Sequence, residues 1–230
     1  MTLTAADIRA RVLHRDDDLL VLDKPTGLPV HAGTKIQLHL EELLDDIRFG
    51  AAEPPRLAHR LDKDTSGCLA MGRNAESTAA LARLFRQGLV EKVYWAVVRG
   101  GWPGEAGTID RPLLKIAGET GAKMEVDPAG KAAVTDWRRL DSAGGLVLLE
   151  LRPRTGRTHQ LRAHCAALGA PILGDPIYGP ERPAPVPLHL HARRIALRLR
   201  PDAPVDVTAP LPAHMAATMA AAGLKENPLF

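Results

Sequence analysis

The chain has 230 residues, with 30 Lys+Arg against 27 Asp+Glu for a formal net charge of +3, and it is 45% hydrophobic and 25% charged. That balance excludes a wholly disordered chain, because the apolar content offsets the entropy of ordering, and the length suits one large domain or two small ones. Aromatic residues are only 3%, which argues against a module that grips nucleic acid mainly by stacking bases on an aromatic platform.

The N-terminus, MTLTAADIRARVLHRDDD, lacks the apolar core of a secretory signal. No apolar run approaches the ~20 residues that span a bilayer, so the cytoplasm is the expected compartment. Leu19-Leu20-Val21-Leu22 reads as a short buried strand that stops at the turn Asp23-Lys24-Pro25-Thr26-Gly27. Residues 36–48 carry Leu38, Leu40, Leu43, Leu44 and Ile47 at helical spacing. A second helix is expected over 77–87, with Ser77 as N-cap and Gly88 closing it. Residues 92–98 alternate, placing Val93, Trp95 and Val97 on one face and Tyr94, Ala96 and Val98 on the other. Residues 131–140 and 146–152 read as a strand pair across a Gly-containing turn. A helix over 158–168 would bury Leu161, Cys165 and Leu168, with Thr158 as N-cap and Gly169 closing it. Residues 193–200 alternate again, and an Ala-rich helix near 211–222 has no obvious packing face. Hairpin-joined strands outnumber helices, which points to an α+β fold with a largely antiparallel sheet.

The modest net charge hides an uneven distribution. Residues 151–200 hold nine arginines, no lysine and two acids. Such a block cannot pair internally, which favours a polyanionic partner over a solvated face. Cys68 and Cys165 stand far apart, outside any metal-type spacing, and read as buried thiols in a reducing compartment. His189 and His191 lack further ligands at metal-site spacing, so no zinc site is expected.

Two segments carry chemistry. His59-Arg60-Leu61-Asp62-Lys63-Asp64-Thr65-Ser66-Gly67 is a polar loop entering a strand. It is either a charged surface turn or, with Leu61 tucked in, a loop that part-buries Asp62; a part-buried Asp needs a cation or several donors to stay ionised. In Arg152-Pro153-Arg154-Thr155-Gly156-Arg157-Thr158-His159-Gln160-Leu161-Arg162 a strand gives way to a turn and a helix start, a setting that suits an anion. His159 and Arg162 share a helix face, and Arg162 at the edge of the buried stripe needs a partner. Asp62 is one candidate; capping plus surface arginines is the plainer alternative. Tyr94 on its own reads as a core residue with its hydroxyl at the rim.

In order along the chain, these segments resemble the RluA-type family of RNA pseudouridine synthases. The resemblance runs through residues 23–31, the 59–67 loop, Lys92-Val93-Tyr94-Trp95-Ala96, residues 156–162 followed by 169–179, and Leu190-His191-Ala192. It implies a mixed, mainly antiparallel sheet in two abutting halves flanked by helices, with the active site in the cleft between them. It implies that Asp62 is the catalytic aspartate, Tyr94 the active-site tyrosine and Arg162 the arginine paired with the aspartate. Arg60 is expected at the RNA near the extruded base, with His59, Lys24, Arg157 and His159 also on the RNA side. Only 18 residues precede Leu19, so a single catalytic domain over 1–230 without a separate S4 RNA-binding domain is expected. The partner is ribosomal or transfer RNA, with no membrane, and the protein is expected to be a monomer. Uridine becomes pseudouridine without net redox or hydrolysis, so neither a cofactor nor a metal is called for. The carboxylate could act as nucleophile or as base toward the sugar. Arg194 is expected to contribute mainly to RNA affinity. A non-catalytic RNA-binding protein on the same scaffold and a glycosidic hydrolase are the rival readings.

Overall fold

The α+β reading is met in a computed structural model that describes residues 3–32, 38–118, 121–181 and 183–226. The first residues of the helix expected over 36–48, and Arg182, lie outside the described residues. The chain divides into two compact units, residues 1–92 with 192–210 and residues 93–191 with 211–230.

The first unit begins with helix α1 (Ala5–Arg9), closed at its start by a reciprocal Thr4–Asp7 capping box. Strands β1 (Val12–Arg15) and β2 (Leu19–Lys24) follow, then β3 (Arg56–Leu57), β4 (Ser66–Gly72) and helix α2 (Ala75–Gln87). The strand order is β1-β2-β4-β11, where β11 is Leu190–Arg200; β12 (Ala203–Thr208) pairs with β11, and β3 with β4. The β1·β2, β2·β4 and β11·β12 pairs are antiparallel. Leu19, Val21, Cys68, Ala70, Leu81, Ile195 and Val205 form the core.

Two expectations shift here. Helix α2 starts two residues early, because Asn74 caps it: the Asn74 side chain accepts the Ser77 N–H at 2.8 Å and Ser77 reciprocates. The expected helix over 36–48 is two 3-10 turns, Leu40–Leu43 and Asp45–Ile47. Leu40, Leu43, Leu44 and Ile47 are nonetheless buried. A continuous helix would set Glu41 against Asp45 and Glu42 against Asp46 at the i,i+4 spacing where like charges repel.

The second unit is built on β5 (Glu91–Arg99), β10 (Leu146–Pro153), β9 (Val134–Ala143) and β6 (Ala106–Asp110), in that order and antiparallel. A separate hairpin joins β7 (Leu113–Gly118) to β8 (Gly121–Val126). Helices α3 (Gln160–Ala167) and α4 (Ala213–Ala222) complete it. The period-2 reading of residues 92–98 holds. Ala96 and Val98 pack with Leu149, Leu151 and α3's Leu161 and Cys165, with Tyr94 at the edge of the same cluster. Val93, Trp95 and Val97 pack on the other face with Met215 and Met219. That contact is the packing face of α4. Each such buried apolar side chain contributes about 1.5–3 kcal/mol. The β9–β10 turn is tighter than expected. Gly144 and Gly145 both take positive φ, 58° and 73°, which lets two residues reverse the chain. No helix among the described residues is long and apolar enough to cross a membrane.

Candidate active site

The 59–67 loop sits between β3 and β4, and the β2·β4 register sets Lys24 opposite Gly67. Residues 23–27 therefore run alongside the loop. Lys24 is 0% exposed, and its Nζ donates to the carbonyl oxygens of Pro25, Leu28 and Lys63, each at 2.9 Å. The Thr26 hydroxyl donates to the Asp64 carbonyl at 2.7 Å, and the Thr65 N–H to the Asp62 carbonyl at 3.2 Å. Leu61 is buried, Asp62 half-buried and Arg60 exposed. Of the two alternatives left by the sequence, the anchored loop is the one observed. Gly67 closes it with φ +102°, and a Cβ there would lie 2.3 Å from the Ala192 carbonyl oxygen, so only glycine fits.

Burial pushes the Lys24 ammonium down to about 7, against the pull of Asp64, Asp62 and Asp23. The expectation of an RNA contact for Lys24 gives way to an internal role: a buried ammonium with all three donors on carbonyls has none left for a phosphate. Lys24→Met is therefore expected to lower turnover about 10–100-fold through a misplaced loop, with RNA affinity within about threefold. The reverse pattern, lost affinity with intact turnover, would restore the direct contact.

His59 also faces inward. Its Nε2 accepts the Ala70 N–H at 2.9 Å, and its ring stacks on Phe85 with centroids 4.0 Å apart. Burial, with nearby Lys92, pushes its pKa down to about 3. A neutral imidazole fixed this way anchors the loop start next to exposed Arg60.

In the second unit, the 154–159 turn is organised by a residue the sequence did not single out. Buried Gln160 accepts the Arg157 N–H at 3.0 Å and the Thr155 hydroxyl at 2.7 Å through Oε1, while its Nε2 donates to the Val134 carbonyl and the Thr135 hydroxyl. This amide takes the place of the expected Thr158 cap. The helix starts at Gln160, with His159 in the left-handed region at φ 50°. Nδ1 of His159 lies 3.3 Å from the Tyr178 hydroxyl. Tyr94, half-buried, pairs with Leu151 in the β5·β10 register and lies on the same sheet face as α3.

Arg162 is 2% exposed, and its Nε and Nη2 donate to the two oxygens of Asp175, both at 2.8 Å. Asp175 was missed in the sequence, although the Gly174-Asp175-Pro176-Ile177-Tyr178-Gly179 turn was part of the resemblance. Burial works against its charge, yet the Arg162 guanidinium and the N–H groups of Tyr178 and Ile177 hold its carboxyl below the usual range.

The arginine block needs a correction. Four of its nine arginines find acidic partners outside the block, Arg152 with Glu150, Arg154 with Asp136, Arg200 with Asp18, and Arg194 with both Asp206 and Glu91, and Arg162 pairs within it with Asp175. Acids distant in sequence are brought alongside by strand pairing, so counting within a 50-residue block overstated the uncompensated charge. Arg157 differs. It is exposed, its Nε donates to the Ala132 carbonyl at 2.9 Å, and, like exposed Arg198, it forms no ion pair with an acid among the described residues. Arg157→Ala is expected to weaken RNA binding and lower the salt slope by about 1, whereas Arg194→Ala should change it little. Salt-titrated filter binding of both variants would reverse the assignment if Arg194→Ala had the larger effect.

The sequence model of the family described as RNA pseudouridylate synthase matches residues 18–167. An uncharacterized RNA pseudouridine synthase of Zymomonas mobilis is 43% identical over 205 residues, which cover 88% of this chain and 94% of that protein. The ribosomal large subunit pseudouridine synthase C of Vibrio cholerae is 34% identical across 91% of this chain and 68% of its own length. The solved structure of human RNA pseudouridylate synthase domain containing 4 superposes with a TM-score of 0.84 at 30% identity, covering 97% of both chains. Sequence, fold and the matched span agree, and the chain belongs to the RluA-type family of RNA pseudouridine synthases, which are isomerases.

Proposed function

We propose that the chain isomerises uridine in large-subunit ribosomal RNA, working as one catalytic domain of 230 residues. Asp62 is the catalytic carboxylate, Tyr94 lies against the uracil, and Arg162 is the cation paired with Asp62. Arg60 and Arg157 hold the RNA, with His59, His159 and Lys24 shaping the segments that carry them. The compartment is the cytoplasm and the protein acts as a monomer. The observation that carries this reading is the anchored 59–67 loop, in which Leu61 is buried and the buried Lys24 ammonium grips the Lys63 carbonyl while the Asp62 side chain stays half-exposed. A carboxylate held on a tethered backbone is preorganised for chemistry at a sugar.

In the reaction the N1–C1′ bond breaks, the uracil turns, and C5 bonds to C1′. The proton displaced from C5 is balanced by one gained at N1, so no electrons and no water are consumed. The target base must leave its stack, at a cost of a few kcal/mol, which phosphate contacts offset in a salt-dependent way. Ribosomal RNA is preferred as target because the Vibrio cholerae relative is named for the large ribosomal subunit. The purified protein is to be incubated separately with unmodified large-subunit RNA, small-subunit RNA and transfer RNA, and pseudouridine quantified in each. Product in the large-subunit RNA is expected. Product confined to transfer RNA would overturn the target, and abasic sites would indicate a hydrolase.

A further inference from the structure

Asp175 is 1% exposed and serves four donors. Its Oδ2 accepts from Arg162 Nε at 2.8 Å, and its Oδ1 accepts from Arg162 Nη2 at 2.8 Å and from the backbone N–H groups of Ile177 and Tyr178 at 2.8 and 2.9 Å. The turn around it has little freedom. A Cβ on Gly174 would lie 2.2 Å from the Pro187 carbonyl oxygen, and the Gly179 N–H donates to the Asp175 carbonyl at 3.0 Å. The same turn supplies Tyr178, whose ring centroid is 5.4 Å from Arg162 Cζ and whose hydroxyl accepts the Met124 N–H of β8 at 2.9 Å. The guanidinium is thus gripped along one edge by a fork and bounded on its face by a ring. A planar group with five donors held in two directions has a fixed aim, more than neutralising a buried charge requires.

We propose that Asp175 is the positioning residue that aims Arg162 in the isomerisation. The inference rests on the reading that Arg162 takes part in the reaction. Asp175→Asn tests it cleanly, because the amide oxygen can still accept the Ile177 and Tyr178 N–H groups while the amide nitrogen cannot accept from Arg162. Should that variant not fold, Asp175→Ser gives the same comparison. Single-turnover rates on large-subunit RNA, RNA affinity by filter binding, and thermal melts are to be measured for Asp175→Asn, Arg162→Lys, their double variant, and Arg162→Gln.

Asp175→Asn is expected to slow the single turnover about 30–100-fold with affinity within about threefold, and the double variant should be no slower than Arg162→Lys alone. Additive losses in the double variant, or a wild-type rate for Asp175→Asn, would overturn the proposal. So would a wild-type rate for Arg162→Lys, since an ammonium has no fork to aim. A wild-type rate for Arg162→Gln would instead remove Arg162 from the reaction, and the proposal with it.

Discussion

Asp62→Asn should abolish pseudouridine formation, by about 10⁴-fold or more, while RNA affinity stays within about threefold. The substitution is nearly isosteric, and the backbone of the loop is held by contacts that do not involve the Asp62 side chain: Lys24 to the Lys63 carbonyl, Thr26 to the Asp64 carbonyl, Thr65 N–H to the Asp62 carbonyl. Loop shape and RNA contacts therefore survive, and what is lost is the carboxylate. Removing the group that forms or breaks bonds to the reacting centre is among the costliest changes an enzyme can suffer. Turnover and filter-binding affinity measured on the same preparation separate the two effects. Retained turnover would remove Asp62 from its role.

Arg162→Ala should be the most damaging change to stability and should also lose most of the activity. It strands the Asp175 carboxylate inside the second unit, without either of its 2.8 Å guanidinium bonds. Removing one partner of a buried ion pair costs about 3–5 kcal/mol, or about 10 °C in melting temperature for a chain of this size. The pH dependence follows. The Asp175 carboxyl is held below its unfolded value in the native state, so its contribution to stability is complete above the unfolded pKa and is lost as the pH falls toward the native one. In Arg162→Ala the guanidinium's share of that depression is lost, and burial, opposed only by the Ile177 and Tyr178 N–H groups, shifts the carboxyl upward from its wild-type value. The variant should then regain stability relative to wild type on acidification below about pH 4. Urea melts at pH 7 and pH 3 test this, and an unchanged difference between wild type and variant at both would contradict it.

What was legible in the sequence was what local periodicity encodes. The alternation across 92–98 placed Tyr94 on the face opposite Val93, Trp95 and Val97, and the two clusters bear this out. The buried Leu161 and Cys165 stripe placed α3 on the sheet. What escaped depends on contacts between segments remote along the chain. Gln160 reads as an ordinary helix residue until β9 brings Val134 and Thr135 to it. Asp175 lies 13 positions after Arg162 in a separate turn, and no helical or strand period links them. Lys24 reads as a surface cation beside Asp23, because only the β2·β4 register reveals that the chain closes over it. The arginine block reads as open charge because acids such as Glu91, 103 residues from Arg194, lie far from it along the chain.

The most direct test of the catalytic role is a map of pseudouridine in total RNA from cells lacking this chain, resupplied with either the wild-type protein or Asp62→Asn, read by carbodiimide modification and sequencing. The expected result is at least one large-subunit ribosomal uridine that is pseudouridine with the wild-type protein and remains uridine with Asp62→Asn. Sites restored equally by Asp62→Asn, or no site lost when the chain is absent, would contradict it.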